Sequence, residues 1–187
     1  MNRARLKLVL LGAVFAAPVA FSYIVYFFWK PEKFGNYGEL LNPPVLVTET
    51  LVRDLEGKVF PLKTLGGKWL LIQSDSGACE RACQKKINGM RQAHLALGKN
   101  QDRVRRVSFM DDGQPRDRVL QSGSDGLLWL DGTDSTFLKL LPAAASPRDH
   151  IYVIDPFGNL FMRYPKDVDV KGIVKDMERL LKASQIG

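Results

Sequence analysis

From Leu8 to Trp29 the chain reads "LVLLGAVFAAPVAFSYIVYFFW", 22 consecutive residues without a charge. A run of this length and apolarity has few folds open to it. As a helix rising about 1.5 Å per residue it extends about 33 Å, enough to cross the hydrocarbon core of a bilayer. A cleaved leader has a shorter apolar segment and then a small-residue cleavage site. Here "AAPVA" is followed by nine more uncharged residues that end in the cluster Tyr23, Tyr26, Phe27, Phe28 and Trp29. The run therefore predicts an uncleaved membrane anchor, with Pro18 as a point of bending and Tyr26 and Trp29 at the membrane interface. Arg3, Arg5 and Lys7 precede the span. The positive-inside rule leaves that end in the cytoplasm and places the rest in the periplasm, or in the intermembrane space of a mitochondrion.

The anchor also explains much of the charge. The formal net charge is +7, and residues 1–33, with Arg3, Arg5, Lys7, Lys30 and Lys33 against Glu32, carry +4 of it. What remains forms no basic stripe interleaved with aromatic residues, so a nucleic-acid partner is not expected. Residues 31–44, rich in Gly, Pro and Asn, read as a linker between the anchor (1–30) and a folded domain (45–187).

Within that domain, "VLVTETLV" and "GKVFPL" read as short strands and "GGKWLLIQS" as a buried strand opened by a Gly-Gly turn. A helix over "CQKKINGMRQAHLALG" ends at Gly98. Next come a strand over "DRVRRVSFM", a short helix over "QPRDRVLQSG", a strand over "GLLWLDG" and a helix over "TDSTFLKLLPA" capped by Thr133 or Asp134. A hairpin, "HIYVID" and "LFMRYP" joined at "PFGN", precedes an amphipathic helix with Ile173, Val174, Met177, Leu180 and Leu181 on one face. Alternation of this kind predicts an α/β fold with a mixed sheet flanked by helices.

The chain has two cysteines, Cys79 and Cys83, in "SDSGACERACQKKI". Residues four apart on a helix share one face, so both thiols point the same way. Thiolates at a helix start are favoured by its dipole. Three uses remain open: a redox dithiol, a site for a soft ion such as Cu(I), or a short-loop structural disulfide that constrains little of the unfolded chain. A four-ligand zinc site is disfavoured, since the chain adds only His94 and His150. His94 lies about 16 Å along the helix from Cys83 and reads as a helix-surface or partly buried residue. Asp111 and Asp112 read as caps for the following helix.

A strand, a short loop with two cysteines and then a helix is how thioredoxin-like domains present reactive thiols. The segment "LEGKVFPLKTLGGKWLLIQSDSGACERAC" and the late "YVIDPFGNL" hairpin resemble, in the same order, the SCO/SenC family of membrane-anchored, thioredoxin-like copper proteins of cytochrome c oxidase assembly. The resemblance implies a thioredoxin-like domain that binds copper through Cys79, Cys83 and a later histidine, here His150. It implies partners among oxidase subunits or other copper-assembly factors, with Cys79 and Cys83 as the redox pair if the protein is a thiol-disulfide reductase. The chain departs from that pattern at Glu80 and Gln84, where the family usually has prolines. His150 also lies nearer its strand than the family's histidine. An interaction domain with a structural disulfide remains as a third reading.

Overall fold

A computed structural model describes residues 3–28, 35–115, 126–184 and 186. The chain divides into two compact units, Met1–Gly35 and Asn36–Gly187. In the first, Arg3–Phe28 forms one helix, α1, with Pro18 inside it. Its segment Leu10–Phe27 is long and apolar enough to cross a membrane. It serves as the candidate single-pass anchor.

The second unit is an eight-stranded mixed sheet in the order β1-β8-β7-β4-β5-β6-β2-β3. Its strands are β1 (Glu39–Leu46), β2 (Leu51–Asp54), β3 (Val59–Pro61), β4 (Trp69–Asp75), β5 (Val104–Met110), β6 (Leu127–Asp131), β7 (His150–Ile154) and β8 (Asn159–Pro165). Among the described residues, its α-helices are α2 (Arg81–Ala96), α3 (Thr136–Lys139) and α4 (Val170–Ala183). The continuous apolar run "WLLI" becomes the central strand because it must be buried on both faces. β4 pairs in parallel with β5 and antiparallel with β7.

Alternation along the strands divides the core. Leu70, Ile72, Val107, Phe109, Tyr152 and Ile154 face the layer that holds Phe137, Leu138 and Leu141. Trp69, Leu71, Ile151, Val153 and Tyr164 face the other layer, where Met90 and Ala93 of α2 meet Ile173, Met177 and Leu181 of α4. The register pair Gln73 and Ser108 lies on this second face. Burial of these side chains at about 25 cal/mol per Å² of apolar surface is the main term favouring the fold.

Three local expectations give way to tertiary context. The linker read over residues 31–44 runs into the sheet, because Glu39–Leu46 pairs with β8, with a break in register between Leu40 and Val45. A strand with Pro43 and Pro44 survives there because an edge strand leaves half its backbone groups unpaired. The single strand read over residues 45–52 is broken at Thr48 and Glu49, where Leu62 and Lys63 donate backbone hydrogen bonds to the Thr50 and Thr48 carbonyls. The helix read over residues 133–143 is one turn with Ser135 at its N-cap, since Pro142 restricts Leu141 to non-helical backbone. The helix expected over 114–123 falls almost wholly outside the described residues.

The entering strand is locked at its start. Tyr37 stacks on Tyr164 with ring centroids 5.7 Å apart, and its hydroxyl donates to the Asp167 carbonyl at 2.9 Å. The Gly38 N–H donates to the buried Asp176 Oδ2 at 2.8 Å. A Cβ on Gly38 would lie 2.6 Å from Met162 Sδ and 2.7 Å from Tyr164 Cε1. Gly38→Val is expected to destabilise the domain by about 1–3 kcal/mol through overpacking. Urea unfolding reads this as a lower midpoint with an unchanged slope.

Candidate thiol-disulfide site

β4 ends at the pole of the sheet where the chain must reverse into α2, and residues 76–80 make that connection. The turn is closed by the Cys79 N–H donating to the Ser76 carbonyl at 3.0 Å and the Ala78 N–H donating to Ser76 Oγ at 3.2 Å. Cys79 has φ +42°, in the left-handed region that costs a residue with a side chain about 1–2 kcal/mol. Gln84, in the first turn of α2, holds this geometry by donating from Nε2 to the Cys79 carbonyl at 3.0 Å.

Cys79 and Cys83 are joined in a disulfide, with Cα atoms 5.1 Å apart, inside the usual span for such a bond. α2 begins between them, with Glu80 as its N-cap. Both cysteines are buried, against Ile87 of the same helix and Leu127 and Trp129 of β6. Beneath Cys83 lies a buried polar side chain: Gln73 Nε2 is 4.0 Å from Cys83 Sγ and 2.6 Å from Ser108 Oγ.

Charged groups fix the rest of the pole. Lys86, one turn after Cys83 and only 1% exposed, pairs with Asp75 Oδ2 at 2.8 Å. It also donates to the Ser74 carbonyl at 3.1 Å and the Arg148 carbonyl at 2.6 Å, so all three ammonium protons are used. Burial pulls the Lys86 pKa down, against the hydrogen bond and charge of Asp75, with smaller opposing charges from Asp111 and Asp149. Arg148 grips the Asp111 carboxylate with both Nε and Nη2 and reaches Asp112 Oδ2 at 3.4 Å. Asp112 Oδ1 in turn accepts from Gly77 N and Gln114 N, each at 3.1 Å. Burial works to raise the Asp112 pKa, but hydrogen bonds from Ser76, Gly77 and Gln114 with the charge of Arg148 together hold it below the usual range. The two aspartates expected as helix caps thus tie the segment after β5 to the cysteine loop and to the turn before β7.

His150 stands apart from this cluster. The turn preceding β7 does meet the cysteine pole, but the side chain it delivers there is Arg148. Ile151 is the register partner of Gln73 and faces the α2 side with it, so His150, one residue earlier, points to the opposite face. Its ring packs edge-on against Tyr152, with Nδ1 3.3 Å from the Tyr164 carbonyl. Burial and the charge of Arg163 lower its pKa, against the hydrogen bond to the Tyr164 carbonyl and the charges of Asp149 and Glu39. His94 also lies away from the thiols, its Nε2 3.0 Å from the carbonyls of Gln101 and Val104. Gln73, Lys86 and Arg148 were not singled out from the sequence. The one signal available was Gln73, a polar residue inside the apolar run "WLLIQS".

Residues 69–184 match a family model described as "transmembrane-like, thioredoxin-like, C-terminal domain". The chain belongs to this family. The domain also shares its fold with solved Sco structures. One is the solution structure of apo Sco1 from Thermus thermophilus, with 19% identity, TM-score 0.63, and coverage of 81% of this chain and 100% of that one. Another is yeast Sco1 with copper bound, with 20% identity, TM-score 0.62, and coverage of 75% and 95% respectively. A third is BsSco, a member of the Sco family of cytochrome c oxidase assembly proteins in which a disulfide switch was identified, with 19% identity, TM-score 0.56, and coverage of 76% and 96%. At these identities the likeness establishes the fold. No curated protein matches the sequence.

The three copper ligands anticipated for a Sco-like protein are not brought together. Among the described residues no group of three His, Cys, Asp or Glu side chains is arranged to hold a metal ion. Cys79 and Cys83 are adjacent but bonded to each other, and His150 lies across the sheet. The neighbours of the sulfurs in this thioredoxin-like domain are a carboxamide and apolar groups. As folded, the residues do not fit a three-ligand copper site.

Gly77 lets the segment after β5 pack against the cysteine loop. A Cβ there would collide with the backbone carbonyl of Gln114, so only glycine lets the segment after β5 lie against the cysteine loop. Gly77→Ala is expected to separate the two segments and speed reduction of the disulfide by dithiothreitol. A loss of about 1.4 kcal/mol in loop closure corresponds to a rise of about tenfold. Stopped alkylation of the released thiols measures the rate.

Proposed function

We propose that this protein is a membrane-anchored thiol-disulfide exchange factor acting on cysteines of a cytochrome c oxidase subunit or copper-assembly protein on the outer face of an inner membrane. The observation that carries the reading is the Cys79–Cys83 disulfide at the N-terminus of α2, with a carboxamide beside it and no imidazole. The anchor and its flanking basic residues support the location, and the fold shared with BsSco supports the pathway. In the reduced protein, the thiolate of Cys79, in the entering loop, attacks one sulfur of a target disulfide and releases the first target thiol as a mixed disulfide forms. Cys83 then attacks Cys79 Sγ, closing the bond seen here and releasing the second target thiol. Two electrons and two protons pass to the target. A dithiol of the same compartment resets the pair.

The exchange reading predicts that Cys83→Ser, lacking the resolving thiol, accumulates a mixed disulfide through Cys79. Non-reducing electrophoresis of membranes should show an adduct with an oxidase subunit or assembly factor that vanishes on reduction and in the double variant Cys79→Ser, Cys83→Ser. Normal oxidase assembly in the double variant, with no adduct in the single one, would remove the reading.

A second reading draws on the fold shared with copper-bound yeast Sco1, in which Cys79, Cys83 and His150 would hold one copper ion as cargo. It requires reduction of the disulfide and displacement of His150 from its place beside Tyr152. With His150 where it stands, His150→Ala leaves Cu(I) binding by the reduced protein unchanged, since two thiolates suffice for that soft ion. A loss of Cu(II) affinity of tenfold or more in the same variant, with Cu(I) affinity kept, would favour the copper reading instead.

A further inference from the structure

The amide of Gln73 occupies a place that neither the fold nor the exchange reading demands. It is 0% exposed, in the central strand, on the face covered by α2. Its Nε2 donates to Ser108 Oγ and stands 4.0 Å from Cys83 Sγ, the outer limit for an N–H···S contact. Its Oε1 is buried with no hydrogen-bond partner. An idle buried acceptor is destabilising, and a leucine or methionine would fill the same space without that cost.

The chemistry of Cys83 suggests what this amide is for. The sulfur of a disulfide has no proton to donate and is a poor acceptor. On reduction the same sulfur becomes either a thiol, which donates, or a thiolate, which accepts strongly. A carboxamide answers both, because its N–H end serves the thiolate and its carbonyl end serves the thiol. Rotation about the last side-chain torsion exchanges the two ends, and the Ser108 hydroxyl, both donor and acceptor, partners whichever end faces it. We infer that Gln73, anchored by Ser108, is a positioning residue that stabilises the reduced form of the Cys79–Cys83 pair and so sets its redox equilibrium. The oxidised sulfur offers the amide little, whereas the reduced sulfur accepts from Gln73 Nε2 as a thiolate or, after rotation of the amide, donates to its carbonyl as a thiol. Either contact is stronger than the one to the disulfide, which raises the reduction potential and makes the protein readier to accept electrons from a reducing dithiol. This inference rests on the exchange reading.

The reaction that tests it is reduction of the protein disulfide by two molecules of glutathione, which yields two protein thiols and one glutathione disulfide. The full-length chain in detergent is equilibrated with glutathione buffers of graded ratio, for the wild type, Gln73→Leu and the near-isosteric Gln73→Met. Both variants are expected to lower the equilibrium constant for reduction about tenfold, equivalent to about 30 mV for this two-electron couple. Urea unfolding supplies the second readout. The reduced form of each variant should lose stability relative to its oxidised form, whereas a packing role would weaken both forms alike. Equilibrium constants within twofold of the wild type, or equal stability losses in the two redox states, would overturn the role of Gln73 and leave the exchange reading standing. A wild-type disulfide that no glutathione ratio reduces would overturn both.

Discussion

The buried ion pair between Lys86 and Asp75 fixes the geometry of the cysteine pole. A lysine withdrawn from water forfeits several kcal/mol of solvation, and the loss is tolerable only if every donor is matched. Asp75, at the last position of β4, supplies the charge, and two carbonyls from different parts of the chain supply the rest. The pair thus sets how far α2 lies along the sheet, and with it the position of Cys83 one turn earlier. Replacement of Lys86 alone would strand the Asp75 carboxylate at the end of the most buried strand. Substitution of both by apolar residues would be far milder, as for other buried pairs.

The same pole carries a second ionic layer at its rim. Arg148, Asp111 and Asp112 are partly exposed, so their Coulomb energy is screened and their contribution to stability small. Their effect is geometric: they join the segment after β5, the cysteine loop and the turn before β7. Arg148 joins the turn before β7 to the segment after β5, and Asp112 joins that segment to the cysteine loop at Gly77.

Much of this was legible in the sequence, and the parts that were not share a cause. The strand at "GGKWLLIQS", the helix after the cysteines and the amphipathic α4 all carry strong local signals: unbroken apolar length, or apolar residues at helical spacing. The thioredoxin-like order followed from their succession, and the adjacency of Cys79 and Cys83 from their spacing. The face to which His150 points was not accessible from composition. It is decided by the pairing of Ile151 with Gln73, and a shift of one residue would have reversed it. Nor does the sequence mark Lys86 as buried and Lys85 as exposed, since they are adjacent identical residues whose difference arises only from the angle at which α2 meets the sheet. β1 was hidden because Pro43 and Pro44 signal a loop to any local reading, while an edge strand tolerates them.

Those two prolines have a consequence of their own. The outer edge of a sheet is a template on which another chain can add a strand, and molecules confined to a membrane plane meet one another often. β1 lies at such an edge, but its register breaks between Leu40 and Val45, and Pro43 and Pro44 have no N–H to offer. A neighbouring strand would find the ladder interrupted midway. Pro43 and Pro44 thereby leave this edge of the sheet a poor template for another strand.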